Sequence, residues 1–445
     1  MAGSVFDSQV YGDLFGSGDA GRLFSDSAEV RAMLLVEGAL AKAQGAAGVI
    51  PQESAAAISR AVVEIAIDPG VLKRPTGQNG VPVPGLVAAF REEMKAPEHA
   101  QYVHWGATSQ DIMDSALMLR LRQVLALIET DLTAAVKTLG TLSKTHAELP
   151  MAARTYGQHA TPTSFGAVAA GWGAPLLGLL EELPGLRRSC LLVSLSGAAG
   201  TSSALGPKAD EVRAAMANGL GLGDPGHSWH TNRTPVLRIA DWLARVTLAF
   251  GKLGEDSTAL AQSGIGEVSL GGAGASSTMP QKQNPVAPSV LAALARQGSG
   301  LLSVLQGASI QQHQRDGAAW FTEWMCLPQI VLGAASAAKT GRALCAGLAP
   351  NAAAMASALS DGLGMIHAEA LSFALAANMP RPDAQAAVKM LCQEAQSTRT
   401  PLQELVALAY PDLDAAALFD PAQQMGRAPW EALQFAKKTE ELGGE

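Results

Sequence analysis

After "TSQDIMD" the chain runs for more than thirty residues without a proline, and its Leu117, Leu121, Val124, Ile128, Leu132, Val136 and Leu139 recur at steps of three and four. That period is the pattern of a long helix with one packed face. Asp111 and Asp114 near its start, and Lys137 and Lys144 near its end, suit the helix dipole. Similar readings cover 163–183, 233–263 and 286–312, whereas strand signals are scarce. Helices of this length rarely stand alone, so the pattern predicts an all-α chain built on a bundle shared between subunits. A shorter helix is expected after "FSDSAEV", with a capping box from Asp26 to Glu29.

Breaks at 70–85, 195–207, 221–234 and 348–352 divide the chain into three expected parts. They are an N-terminal helical domain (1–108), a central long-helix domain (109–352) and a C-terminal helical domain (353–445). At 445 residues the chain is long enough for such a division. Hydrophobic residues make up 48% and charged residues only 16%, which suits surface hidden in an oligomer. The net charge of −8 and the lack of any long basic run argue against nucleic acid or an anionic membrane as partner. Cys190, Cys326, Cys345 and Cys392 lie far apart and read as free thiols of a reducing compartment. No signal-peptide pattern opens the sequence, so a cytoplasmic protein is expected.

Several motifs are weak. "GSGDAG" at 16–21 matches a dinucleotide fingerprint in letters only, because no strand precedes it. His227 and His230 have helical spacing but lack the further ligands a metal needs, so no metal is expected. Three other segments combine hydrogen-bond donors in ways that suit a small anion. "GGAGASSTMPQKQNP" (271–285) joins a glycine-rich backbone to Lys282 and Asn284, with Ser276, Ser277 and Met279 between. Such a loop can stabilise an oxyanion or hold a carboxylate, and its glycines suit closure over a substrate. "HWGATSQD" (104–111) sets His104, Thr108, Ser109 and Gln110 at the start of the long helix, where free N–H groups favour carboxylates. "RTYGQHATPTSFG" (154–166) presents Thr155, Tyr156, Gln158 and His159 just before another expected helix.

Taken together, these segments resemble the fumarase/aspartase superfamily. Its diagnostic block G-S-S-x-M-P-x-K-x-N-P stands here as "ASSTMPQKQNP", with Ala275 in place of the glycine, and the likeness runs from "FSDSAEV" to about 430. The resemblance implies an all-α homotetramer with a twenty-helix central bundle and active sites each shared between three subunits. It implies no cofactor and a small polycarboxylate as substrate. "VHWGATSQDIMDSA", "SWHTNR" and "QRDGAAWFTEWMCLP" resemble the cycloisomerase branch, which closes 3-carboxy-cis,cis-muconate to a lactone in protocatechuate breakdown. The alternatives are an adenylosuccinate lyase-like enzyme, a sulfomuconate-type cycloisomerase, or a helical oligomer without activity. By this resemblance Ser276 is the acid/base at carbon, and Lys282 and Asn284 hold the carboxylate that becomes enediolate-like. Thr108, Ser109, Thr155 and Gln158 bind the other carboxylates, with His313 and Arg315 as further anion contacts and His104, His159 and His230 bordering the site. Tyr156 stands where the superfamily's amine and water lyases usually carry histidine, which fits a carboxylate leaving group that departs without a proton.

Overall fold

A computed structural model describes residues 3–272, 274, 275, 279 and 282–442 of the chain. Helix makes up 68% of it and strand 5%, so the fold is all-α. Helix α1 (Asp26–Ala46) is followed by short helices up to Ala100, and five long ones then dominate. They are α2 (Ser109–Thr145), α3 (Phe165–Cys190), α4 (Thr234–Leu260), α5 (Val286–Gly307) and α6 (Gly317–Gly347). Each of the four long readings made from periodicity coincides with one of α2 to α5. The seven apolar residues that define the α2 period include Leu121, Val124, Leu132, Val136 and Leu139, all fully buried.

Two compact units result, one of Met1–Thr130, Leu179–Leu248 and Ala293–Lys339, the other of Asp131–Gly178, Ala249–Ala292 and Thr340–Glu445. Every boundary falls inside a long helix, so each of the five contributes residues to both units. The three-part division expected above follows Gly and Pro breaks instead, and sequence carries no punctuation inside a continuous helix. In the first unit, Met33, Leu34, Ile58, Leu86, Phe90, Ile112, Val193 and Met216 close one core. Trp229 and Trp242 are buried in the same unit, each holding its indole N–H on a backbone carbonyl (Val193 at 2.9 Å, Leu179 at 3.0 Å). Burial of each such side chain contributes about 1.5–3 kcal/mol or more.

Two local expectations are corrected. The cap of α1 is Ser25, whose hydroxyl accepts from Ala28 N–H at 3.3 Å, rather than Asp26. Ser25 has extended backbone and stands outside the helix, while Asp26 falls in the first turn and faces the dipole. The residues ahead of α3 form a hairpin: β1 (Pro150–Thr155) pairs antiparallel with β2 (Gln158–Ser164), and α3 starts at Phe165 as expected. Tyr156 and Gly157, at φ 52° and 73°, form the two-residue left-handed turn that matches strand twist. Thr155, Thr161 and Thr163 supply β-branched residues on either side. His227 and His230 lie outside any helix, in a stretch interrupted by Pro225 and Gly226.

The hairpin is tied into the second unit at its root and along its edge. Phe165 N–H bonds Leu149 carbonyl at 2.9 Å, and Arg154 grips the fully buried Glu267 through two bonds of 2.6 and 3.0 Å. At the root Gly166 lets α3 approach the end of α2 very closely. A Cβ there would stand 2.5 Å from Ser143 carbonyl oxygen and 2.7 Å from Ala147 Cα, both backbone atoms. Gly166→Ala is therefore expected to destabilise the chain by about 1–3 kcal/mol through overpacking. A urea or thermal unfolding curve that did not move would contradict this account of the hairpin root.

Candidate active site

In the first unit the candidate residues converge on the loop that leads into α2. Asp111, fully buried in the first turn, accepts five hydrogen bonds. They come from Thr108 N–H (3.0 Å), Ser196 N–H (2.9 Å), Gly197 N–H (2.9 Å), Ser194 Oγ (3.1 Å) and His230 Nε2 (2.8 Å). Both carboxylate oxygens accept, Oδ1 from Ser194, Ser196 and His230 and Oδ2 from Thr108 and Gly197, and the helix start favours negative charge there. Gln110 is also buried: its amide donates to His230 carbonyl at 2.8 Å and accepts from Arg315 Nε at 2.8 Å. Arg315 further donates to Ala198 carbonyl at 3.2 Å, and its Nη2 is buried without a partner among the described residues. Gln110 and His230, expected as substrate contacts, thus have their polar groups engaged in holding Arg315 and Asp111, apart from His230 Nδ1, which is buried without a partner among the described residues. Thr108 and Ser109 remain half-buried at the helix start.

His104 lies just upstream at φ 64° and is partly exposed. Its Nδ1 is 2.7 Å from Oε1 of Glu37, which is 1% exposed on α1. One turn pair further along, Gln44 donates to Trp105 carbonyl at 2.6 Å. Burial pulls the His104 pKa down, but the Glu37 hydrogen bond and charge outweigh it and leave the net shift upward. His313 is exposed, at φ 53°.

A second buried ion cluster underlies this loop. Arg233 bonds Asp114 at 2.8 and 2.9 Å and Glu323 at 2.6 and 2.9 Å, and stacks 4.9 Å over the Trp229 ring. Two carboxylates share one guanidinium there. Burial, with Asp114 alongside, pushes the Glu323 carboxyl up despite its bonds to Arg233. Sequence reading overlooked this triad, Asp111's role and Glu37. The available signals were Asp and Glu at core-facing positions of helices whose neighbours are apolar, since charged residues are seldom buried unless paired.

In the second unit Thr155, Tyr156, Gln158 and His159 all stand exposed at the hairpin tip. Lys282 and Met279 are exposed and Asn284 is half-buried; Gln283 and Asn284 pair with Ala275 and Gly274 in a separate two-stranded sheet. Ser276 and Ser277 lie outside the described residues. The candidates therefore fall into three groups: 104–110 with 230 and 315, the 155–159 tip, and the 279–284 segment. Within each group stand side chains able to donate to a carboxylate: His104 and Arg315 in the first, His159 and Gln158 in the second, Lys282 in the third. No group of three or more His, Cys, Asp or Glu suited to a metal occurs among the described residues.

A family model described as "Lyase" matches residues 20–300. The chain is 37% identical over 434 residues to a 3-carboxy-cis,cis-muconate cycloisomerase of Pseudomonas aeruginosa, covering 95% of this chain and 94% of the relative. It is 36% identical to a nitrosuccinate lyase of Streptomyces davaonensis, covering 91% of this chain and 89% of that protein. Among solved structures, the 3-carboxy-cis,cis-muconate lactonizing enzyme from Pseudomonas putida superposes with a TM-score of 0.91 at 34% identity, covering 98% and 99% of the two chains.

The five bonds on Asp111 carry a direct consequence. Asp111→Asn turns one acceptor oxygen into a donor facing N–H groups and is expected to cost about 3 kcal/mol or more in stability. Equilibrium unfolding in urea measures it; a loss well under 1 kcal/mol would show that the loop does not depend on this carboxylate.

Proposed function

The chain belongs to the fumarase/aspartase superfamily of lyases, and from that premise we propose that it closes 3-carboxy-cis,cis-muconate to carboxymuconolactone. The observation that carries this reading is the end-to-end likeness to cycloisomerases, 37% identical over 95% of the chain. In the lactonising direction one substrate carboxylate adds to a double bond conjugated with another. Negative charge builds on the acceptor carboxylate as an enediolate, and a proton is then delivered to carbon. All atoms of the substrate are retained and one proton is taken up at carbon, so the step needs neither an oxidant nor a reductant.

Ser276 is assigned as the acid/base at carbon from its place in the signature, six residues before Lys282. Lys282 and Asn284 hold the enediolate-like carboxylate, a role in which fixed charge lowers the barrier most effectively away from water. Thr108, Ser109, Thr155 and Gln158 bind the remaining carboxylates, with His104, His159, His313 and Arg315 as further anion contacts. Gln110 and His230 act through Arg315 and Asp111 as positioning residues. Tyr156 separates this chemistry from amine elimination. An amine leaving group gains from a general acid, whereas a carboxylate of reference pKa about 4 departs unaided. A homotetramer with sites shared between three subunits fits the exposed apolar residues of the long helices, among them Leu248 on α4, Val304 on α5 and Met325 on α6.

A substrate panel tests the reading. Purified protein is expected to consume 3-carboxy-cis,cis-muconate, followed by ultraviolet absorbance, and to leave adenylosuccinate and nitrosuccinate untouched. Cleavage of either succinate with muconate unchanged would replace the proposal. Ser276→Ala and Lys282→Met are each expected to lower kcat by roughly a hundredfold or more while the assembly stays intact.

A further inference from the structure

A histidine beside a substrate carboxylate needs its ring held in one direction and its proton retained. Helix α1 addresses both. Glu37 and Gln44 lie seven residues apart, on one face of that helix, and both reach the 104–105 backbone turn: Glu37 to the His104 ring at 2.7 Å, Gln44 to the Trp105 carbonyl at 2.6 Å. Gly106 completes the turn at φ 73°, with so little space that a Cβ would meet Leu205 Cδ2 at 2.8 Å. His104 itself holds a left-handed backbone, unusual for a residue other than glycine and found where surrounding structure enforces it.

The Glu37 carboxylate is almost wholly buried, and its Oε2 has no partner among the described residues. Among the described residues the ring of His104 is the hydrogen-bonding partner of this buried side chain. That bond engages Nδ1 and leaves Nε2 as the ring nitrogen able to meet a ligand. Other charged groups near the ring are Asp111 on α2, which favours the cation, and Arg91, which opposes it. Arg91 is itself engaged, donating to Val103 carbonyl at 2.7 Å.

We propose that Glu37 is a positioning residue for catalysis: it holds His104 as an imidazolium with Nε2 directed to a substrate carboxylate. The proposal rests on the reading that His104 borders the substrate site. It makes His104 a charged clamp for the ground state and the enediolate alike, so its loss bears on KM more than on kcat. As pH rises through the His104 pKa the clamp loses its charge, and substrate binding weakens on the alkaline side.

Glu37→Gln keeps an acceptor near Nδ1 but removes the charge; Glu37→Asp keeps the charge on a shorter arm. With 3-carboxy-cis,cis-muconate, Glu37→Gln is expected to raise KM about tenfold near neutrality and to move the alkaline limb of kcat/KM to lower pH, with partial recovery in Glu37→Asp. A limb that stays in place, or an equal loss in both variants, would overturn the proposal. Carbethoxylation of His104, followed by peptide mass spectrometry against pH, reads the ring without turnover, because only the neutral imidazole reacts. Its midpoint in the wild type should lie above that of a free imidazole and fall in Glu37→Gln. Unchanged midpoints would reject the Glu37 role even if the enzyme lactonises muconate. A fallen midpoint in a protein that does not lactonise muconate would reject only the assigned reaction. Should Glu37→Gln fail to fold, a wild-type midpoint at or below the free value still overturns the proposal.

Discussion

Asp111 gathers three stretches of chain that are far apart in sequence onto one carboxylate. The 104–111 loop reaches it through Thr108, the 194–197 segment through Ser194, Ser196 and Gly197, and the 230 region through His230. The donors of Ser194, Ser196, Gly197 and His230 would otherwise be buried polar groups without this partner, at a cost of about 1–3 kcal/mol each. The first turn of α2 supplies the compensating partial positive charge. Because these bonds fix the loop from beneath, the half-buried Thr108 and Ser109 and the partly exposed His104 can face outward from a rigid base. Arg315 is held in the same network through Gln110.

The distribution of charge follows a simple division. Arg233 is enclosed by Asp114 and Glu323, and Arg154 is held by the buried Glu267, so the charge of each guanidinium is met within the protein. Such pairs contribute little net stability compared with apolar packing, yet removing one partner strands the other. Groups nearer the surface are a different population: Lys282 is exposed, His104 is partly so, and Arg315 keeps one buried nitrogen without a partner among the described residues. A chain of net charge −8 can therefore still present locally positive ground to a polyanionic substrate, since local fields rather than the total decide capture.

How far sequence could reach depended on what each feature answers to. The long helices were legible because their period is a local property, and Leu121, Val124 and Val136 turn inward as the spacing requires. The family was legible in the signature's residue types at fixed offsets, and the family model matches residues 20–300. The hairpin at 150–164 was missed because six or seven residues with mixed polarity carry no strong period, and its Tyr-Gly turn resembles many loops. Asp111, Arg233 and Glu37 were illegible as partners, since their bonds join residues 67 to 119 positions apart. Periodicity said which faces were buried, but not which buried charge met which.

Tyr156 shows what such a compromise looks like in one residue. A two-residue hairpin turn with positive φ at both positions favours Asn, Asp or Gly first, and a tyrosine there holds a conformation that side chains with a Cβ resist. The ring is fully solvent-accessible in the chain, so packing within the chain does not repay the backbone. Selection for the turn alone would have replaced it. At the hairpin tip, thermal robustness and the retained side chain thus pull against each other. Stabilising the tip by the usual turn consensus would remove a side chain whose retention the backbone does not explain.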